Sequence, residues 1–232
     1  MTELLTPSQH IAIASPEFLE NHTDHTFSPL LIDCVRFTLE QGRVDLETPN
    51  GITFFIQLSK GLYSPTDPDH GWHHISTVLE NSLFLAKKYQ LKEQEVYALL
   101  AAACLHDVIR YDVPNPAQCS AEIAEHILQN HMQPLTVKWT TSAIDQHSSP
   151  RSKRYFSDIV SETLYDADKM HTDPFRWVNC GLNPYAVENN SIETAYRTSL
   201  EEIHGTIGTY PAHEIIEWRM AEREALKNAS EY

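Results

Sequence analysis

Hydrophobic and polar residues recur along most of this chain with a period near 3.6, which predicts helices. The clearest stretch opens at Trp72, where Ile75, Val78, Leu79, Ser82, Leu85, Ala86 and Tyr89 fall on one helical face. A second helix is expected from about Lys92 to Ile109, with Val96, Leu99, Leu100, Ala103 and Cys104 on its apolar face and Pro114 and Pro116 ending it. A third is expected to start at Ser120, a good N-cap residue, and to bury Ile123, Ala124, Ile127 and Leu128. Further helices are expected over 136–146 and 157–170, with two more in the tail at 191–204 and 212–228. Ahead of these, 30–41 predicts a helix and 1–28 an irregular arm broken by Pro7, Pro16 and Pro29.

One segment reads differently. In RVDLETPNGITFFIQL, Val44 and Leu46 alternate with polar residues, and Ile52, Phe54, Ile56 and Leu58 do so in part. Asn50-Gly51 between them suits a tight turn, so a small β-hairpin is expected near residues 43–58. The loop composition of KGLYSPTDPDHG follows. The fold class is therefore mainly α, a helical bundle with one hairpin. Its expected organisation is an N-terminal extension (1–59), a central helical domain (60–180) and C-terminal helices packing on that domain (181–232).

Composition narrows the function classes. The 232 residues carry a formal net charge of −15, which on average repels nucleic-acid backbones and anionic membranes. A protein this acidic that handles anionic substrates must concentrate positive charge locally, and a bound metal ion is one way to do so. Cys34, Cys104, Cys119 and Cys180 form no CxxC pair and are widely spaced, against a thiolate zinc site or a disulfide scaffold. No apolar run approaches membrane-spanning length, and the first twenty residues lack a basic start and a long apolar core. A cytoplasmic protein is expected, with no membrane and no nucleic-acid polymer among its partners.

Polar residues at inward positions carry the candidate chemistry. Leu99, Ala103 and His106 stand at i, i+4 and i+7 along an apolar run, so the histidine lies on the buried face near the helix end, with Asp107 about 100° further round. A buried ionised carboxylate is costly alone, so a cation, an arginine or a metal must face it. Asp168 repeats the anomaly: it stands at i+4 from Leu164 in a stripe of Val160, Leu164 and Ala167. His74 stands one turn before Val78. Two imidazoles and two carboxylates form a borderline-to-hard ligand set that suits Mn, Fe, Co, Ni, Zn or Mg.

This ordered set, His74, His106-Asp107 and Asp168, resembles that of the HD-domain metal-dependent phosphohydrolases. DHGWHHISTVLENSLFLAKKY looks like the family's first-histidine helix, LAAACLHDVIR like its HD helix and LYDADKM like its final aspartate segment, over roughly residues 69–171. The resemblance implies an HD-type all-α domain with a divalent metal between helices and a phosphorylated small substrate, usually a nucleotide. It prefers His74 over His73 as ligand, because the family's ligand immediately precedes an apolar residue. It leaves His73 and His70 as substrate-contact candidates, the latter equally well an exposed loop histidine.

A histidine like His147 occurs in many relatives, where it would bind substrate phosphate or a second metal; a purely structural histidine fits equally. Lys169 stands where relatives often place a basic residue, and Arg110 directly follows the HD helix; either could contact phosphate. Arg151, Lys153 and Arg154 form the dense basic cluster nearest in sequence. The extra histidine of two-metal relatives is missing between Asn115 and Cys119. One ion per chain is therefore expected, with His126 as a surface or core residue. Asp107 and His106 are the expected catalytic pair, Asp107 combining ligation with proton transfer. The competing expectations are a dinuclear-iron oxygenase of the same superfamily and a non-catalytic metal- or nucleotide-binding module.

Overall fold

The computed structural model describes residues 29–63, 70–109, 114–148 and 156–170. Among them are seven α-helices and no strand: α1 (Pro29–Gly42), α2 (Pro49–Ser59), α3 (Trp72–Tyr89), α4 (Glu93–Leu105), α5 (Pro116–Leu128), α6 (Pro134–Gln146) and α7 (Ile159–Lys169). A short 3-10 turn, Lys60–Leu62, follows α2. The expected arm over 1–28 and the two tail helices lie outside the described residues.

Helix α4 is the axis of the bundle and packs against α2, α3, α5, α6 and α7. Every residue from Tyr97 to Leu105 is buried, so this helix is apolar all round rather than on one face. Its run of Ala101, Ala102 and Ala103 lets neighbouring helices approach closely on all sides. Glu95 caps its start, its Oε2 accepting the Lys92 backbone N–H at 2.7 Å. The more amphipathic α3 buries His74, Ile75, Val78, Leu79, Ser82, Leu85 and Ala86 along one stripe. It ends where Gln90 turns left-handed (φ 54°) and the Leu91 N–H reaches back to Ala86 O. Helices α1 and α2 and the turn between them contribute to the same core: Ile32, Val35, Leu39, Leu46, Ile52 and Phe55 belong to the apolar cluster that contains Ile75, Leu99, Ile144 and Leu164.

Two expectations are corrected here. The segment expected to form a hairpin over 43–58 is instead helix α2 with its leading turn. Thr48 is extended (φ −132°, ψ 152°), its hydroxyl accepts the Gly51 N–H at 3.1 Å, and Pro49 occupies the first helical position, a strong helix start. The inward residues are then Ile52, Phe55 and Ser59, at helical spacing. Phe55 is fully buried while Phe54 is 43% exposed, the reverse of what strand alternation from Ile52 would give. Asn50-Gly51 sits in the first helical turn, and the glycine is needed for closeness: a Cβ there would lie 1.8 Å from Asp45 O. The other correction concerns α5, which begins at Pro116, four residues before the expected N-cap. Ser120 is inside the helix and fully buried.

Candidate metal centre

The centre forms where three helix C-termini meet one N-terminus. His74 lies in the first turn of α3, His106 and Asp107 directly follow α4, His147 closes α6, and Asp168 lies in the last turn of α7. Carbonyl-rich helix ends carry partial negative charge, so three of them directed at one point favour a cation there. All five side chains belong to residues no more than 5% exposed.

Four atoms face one another at the middle. His74 Nε2 stands 3.2 Å from His106 Nε2, 3.3 Å from Asp168 Oδ1 and 3.4 Å from Asp107 Oδ2. His106 Nε2 stands 3.5 Å from Asp107 Oδ2 and 3.9 Å from Asp168 Oδ1. Donors about 2.1 Å from a shared ion stand about 3.0 Å apart at octahedral angles and about 3.4 Å at tetrahedral angles. Four of the five separations, 3.2–3.5 Å, lie close to this range, and the fifth, 3.9 Å, lies beyond it.

Proton placement points the same way. His106 Nδ1 faces Ala103 O at 3.0 Å, so that nitrogen carries the proton and Nε2 presents its lone pair inward. Burial pushes the His106 imidazole down to about 3, against the opposing pull of the Asp107 and Asp168 carboxylates, so it is neutral near pH 7. A single proton on His74 Nε2 cannot serve the three acceptors around it, whereas a divalent cation can draw on several of these lone pairs at once. Burial alone would raise the Asp168 carboxyl, but the Lys169 ammonium and the hydrogen bond from His74 hold it well below the usual carboxylate range. Its oxygens are divided, Oδ1 inward and Oδ2 on Lys169 Nζ at 2.8 Å.

His147 joins the cluster on its other side. Its Nδ1 donates to Ile144 O at 2.6 Å, so Nε2 is a bare acceptor. That atom is buried, has no hydrogen-bond partner among the described residues, and faces Asp107 Oδ1 at 3.4 Å. A lone pair against a carboxylate oxygen is unfavourable without a proton or cation between them. The five residues resolve into two overlapping sets of three donors, His74–His106–Asp168 and His106–Asp107–His147. His106 offers one lone pair and can bind one ion through it. A second ion would therefore have two donors among the described residues, Asp107 Oδ1 and His147 Nε2.

The remaining sequence-derived candidates separate. His73 is exposed, about 100° round α3 from His74, and Thr77 and Ser76 donate to its carbonyl. His70 is buried, with its ring 6.1 Å from that of His74. Lys169 is engaged with Asp168 and lies 5.5 Å from the Tyr165 ring centre. His126 is an exposed residue of α5 bonded to Arg36 of α1, away from the cluster. Arg110, Arg151, Lys153 and Arg154 lie outside the described residues.

Three groups that hold the site were missed from sequence. The Tyr63 hydroxyl donates to Cys104 O at 2.6 Å, Ser120 Oγ bonds both the N–H and the C=O of Ile109, and Asn81 Nδ2 donates to Ala167 O at 2.9 Å. A polar residue in the stripe of α3 was the available signal for Asn81; nothing in the sequence singles out Tyr63 or gives Ser120 this task. Burial, with the Asp107 charge second, pushes the Tyr63 hydroxyl well above its ordinary value, so it remains a donor. A groove of about 460 Å³, lined in part by Glu40, Arg43, Asp45, Glu47, His131 and Gln133, lies at the opposite end of α6 from His147. No family model, curated protein or solved structure matches this chain.

Proposed function

We propose that this chain is a metal-dependent phosphohydrolase of the HD type, cleaving a phosphate ester of a nucleotide or another small phosphorylated metabolite. The observation that carries the reading is the buried cluster in which His74 Nε2 stands 3.2–3.4 Å from His106 Nε2, Asp168 Oδ1 and Asp107 Oδ2, and His106 Nε2 stands 3.5–3.9 Å from the same two carboxylate oxygens. These four side chains would hold one divalent ion, and two neutral imidazoles with two carboxylates would balance its charge. Bound there, such an ion supplies Lewis acidity to a phosphoryl oxygen and to water.

The chain's own groups do the rest. Asp107 Oδ1 points away from the shell toward His147 Nε2, and this pair can hold and return a proton at the reacting face. The N-terminus of α3 adds partial positive charge where an anionic substrate would arrive. Lys169 is a third exposed, so it can reach a phosphate oxygen without leaving the rim. We place the protein in the cytoplasm, whose reducing conditions suit widely spaced cysteines outside any CxxC pair; no helix among the described residues is long and apolar enough to cross a membrane.

The test is elemental analysis of the purified chain, then a panel of nucleoside monophosphates, cyclic nucleotides and sugar phosphates assayed with Mn, Co, Ni, Zn or Mg. The expected result is one ion per chain and turnover that disappears in Asp107→Ala while helicity remains. Two irons per chain with oxygen-dependent turnover would establish the oxygenase instead. Ion binding without turnover on any phosphate ester would leave a binding module.

A further inference from the structure

The turn that carries His106 and Asp107 is held at both ends by buried hydroxyls from distant parts of the chain. An α-helix leaves its last carbonyls without intrahelical partners. At the end of α4, Ala102 O accepts the His106 backbone N–H and Leu105 O accepts that of Val108. Ala103 O accepts the His106 ring at 3.0 Å. Cys104 O is satisfied by the Tyr63 hydroxyl at 2.6 Å, which reaches across from the end of the 3-10 turn. On the far side, the Ile109 N–H donates to Ser120 Oγ at 3.0 Å, and that hydroxyl donates to Ile109 O at 3.2 Å. Cys104 and Ser120 are fully buried and Ile109 is 5% exposed, so water cannot replace either hydroxyl without entering the core.

We propose that Tyr63 and Ser120 are positioning residues of the metal centre, fixing the backbone two residues before His106 and two residues after Asp107. The proposal rests on the reading of this cluster as a metal site. Between the two anchors lie the only two adjacent ligands of the shell. They emerge from one turn outside regular helix, whereas His74 and Asp168 are carried by helices. A turn of this kind has soft backbone angles, and its side chains keep coordination spacing only if both ends are pinned. Tyr63 and Ser120 are not ligands of the shell, and their hydroxyls bond backbone groups, so their effect passes through the backbone.

The experiment measures Mn²⁺ affinity of the full chain by calorimetry for wild type, Tyr63→Phe and Ser120→Ala. The visible spectrum of each Co²⁺-loaded protein reports the donor angles. Ile127→Val, a core truncation in α5 away from the cluster, controls for general loosening. Each clamp variant is expected to bind Mn²⁺ about tenfold more weakly, the scale on which groups that orient ligands act. Its Co²⁺ spectrum is expected to shift while far-UV helicity is kept. The control should lower the melting temperature and leave affinity and spectrum unchanged.

Wild-type affinity in either folded clamp variant overturns the paired clamp, as does an equal loss in the control. If one variant does not fold, the other carries the same comparison. If wild type itself binds none of the divalent ions tried, the metal reading fails first and the clamp with it.

Discussion

Replacing Asp168 by asparagine probes the metal centre with little change of shape. The amide keeps the volume of the carboxylate. Lys169 loses its partner, but its side chain is 32% exposed, and solvent-screened pairs contribute at most about 1 kcal/mol. What changes is charge, from two carboxylates to one in the shell. Asp168 Oδ1 stands 3.3 Å and 3.9 Å from the two imidazole nitrogens, the spacing of donors on one ion. Losing it should therefore weaken binding by at least the upper end of the roughly ten- to hundredfold seen for groups that only orient a ligand.

The assay is thermal unfolding of chelator-stripped protein titrated with Mn²⁺. At one hundred times the wild-type Kd, binding stabilises the fold by about 2.7 kcal/mol. For a chain of 232 residues this raises the melting temperature by about 5–11 °C. At the same concentration a variant a hundredfold weaker is half saturated, gains about 0.4 kcal/mol and shifts by about 1–2 °C. An equal Mn²⁺ shift in wild type and Asp168→Asn would refute the shared ion. No shift in wild type with any divalent metal would remove the centre altogether.

Three further outcomes follow from the packing. Phe55→Ala should cost about 3–5 kcal/mol in urea unfolding because the ring is fully buried, and Phe54→Ala about 1 kcal/mol or less; the opposite ranking would restore the hairpin. Gly51→Ala should destabilise the chain by about 1–3 kcal/mol although alanine favours helices, because its Cβ would lie 1.8 Å from Asp45 O; a gain in melting temperature would contradict that contact. Burial pushes the Cys104 thiol up to about 12, so iodoacetamide should label half-buried Cys119 and spare Cys104 in the native protein, as read by peptide mass spectrometry. Rapid native labelling of Cys104 would mean that α4 is not the closed axis described above.

The chain's own pattern determined that most of its segments are helices and which face of α3 turns inward. The reason is that a 3.6-residue repeat of apolar side chains can be buried only by a helix. It also exposed His74, His106, Asp107 and Asp168 as anomalies, because polar groups on an inward stripe need partners that no neighbour in sequence supplies. It could not decide between helix and hairpin at 43–58. There the apolar residues satisfy parts of both periods, and the choice fell to the cap at Thr48-Pro49 and to burial of Phe55 rather than Phe54. Nor could it say which atoms meet, since periodicity fixes a face and not the distance across to another helix. Only the packing of α3, α6 and α7 round the end of α4 brought the His74 and His106 nitrogens within 3.2–3.9 Å of each other and of the Asp107 and Asp168 oxygens, and set His147 against the second oxygen of Asp107. The same packing turned Tyr63 and Ser120 into supports for a turn 41 and 11 residues away in the chain, a relation that exists only in three dimensions.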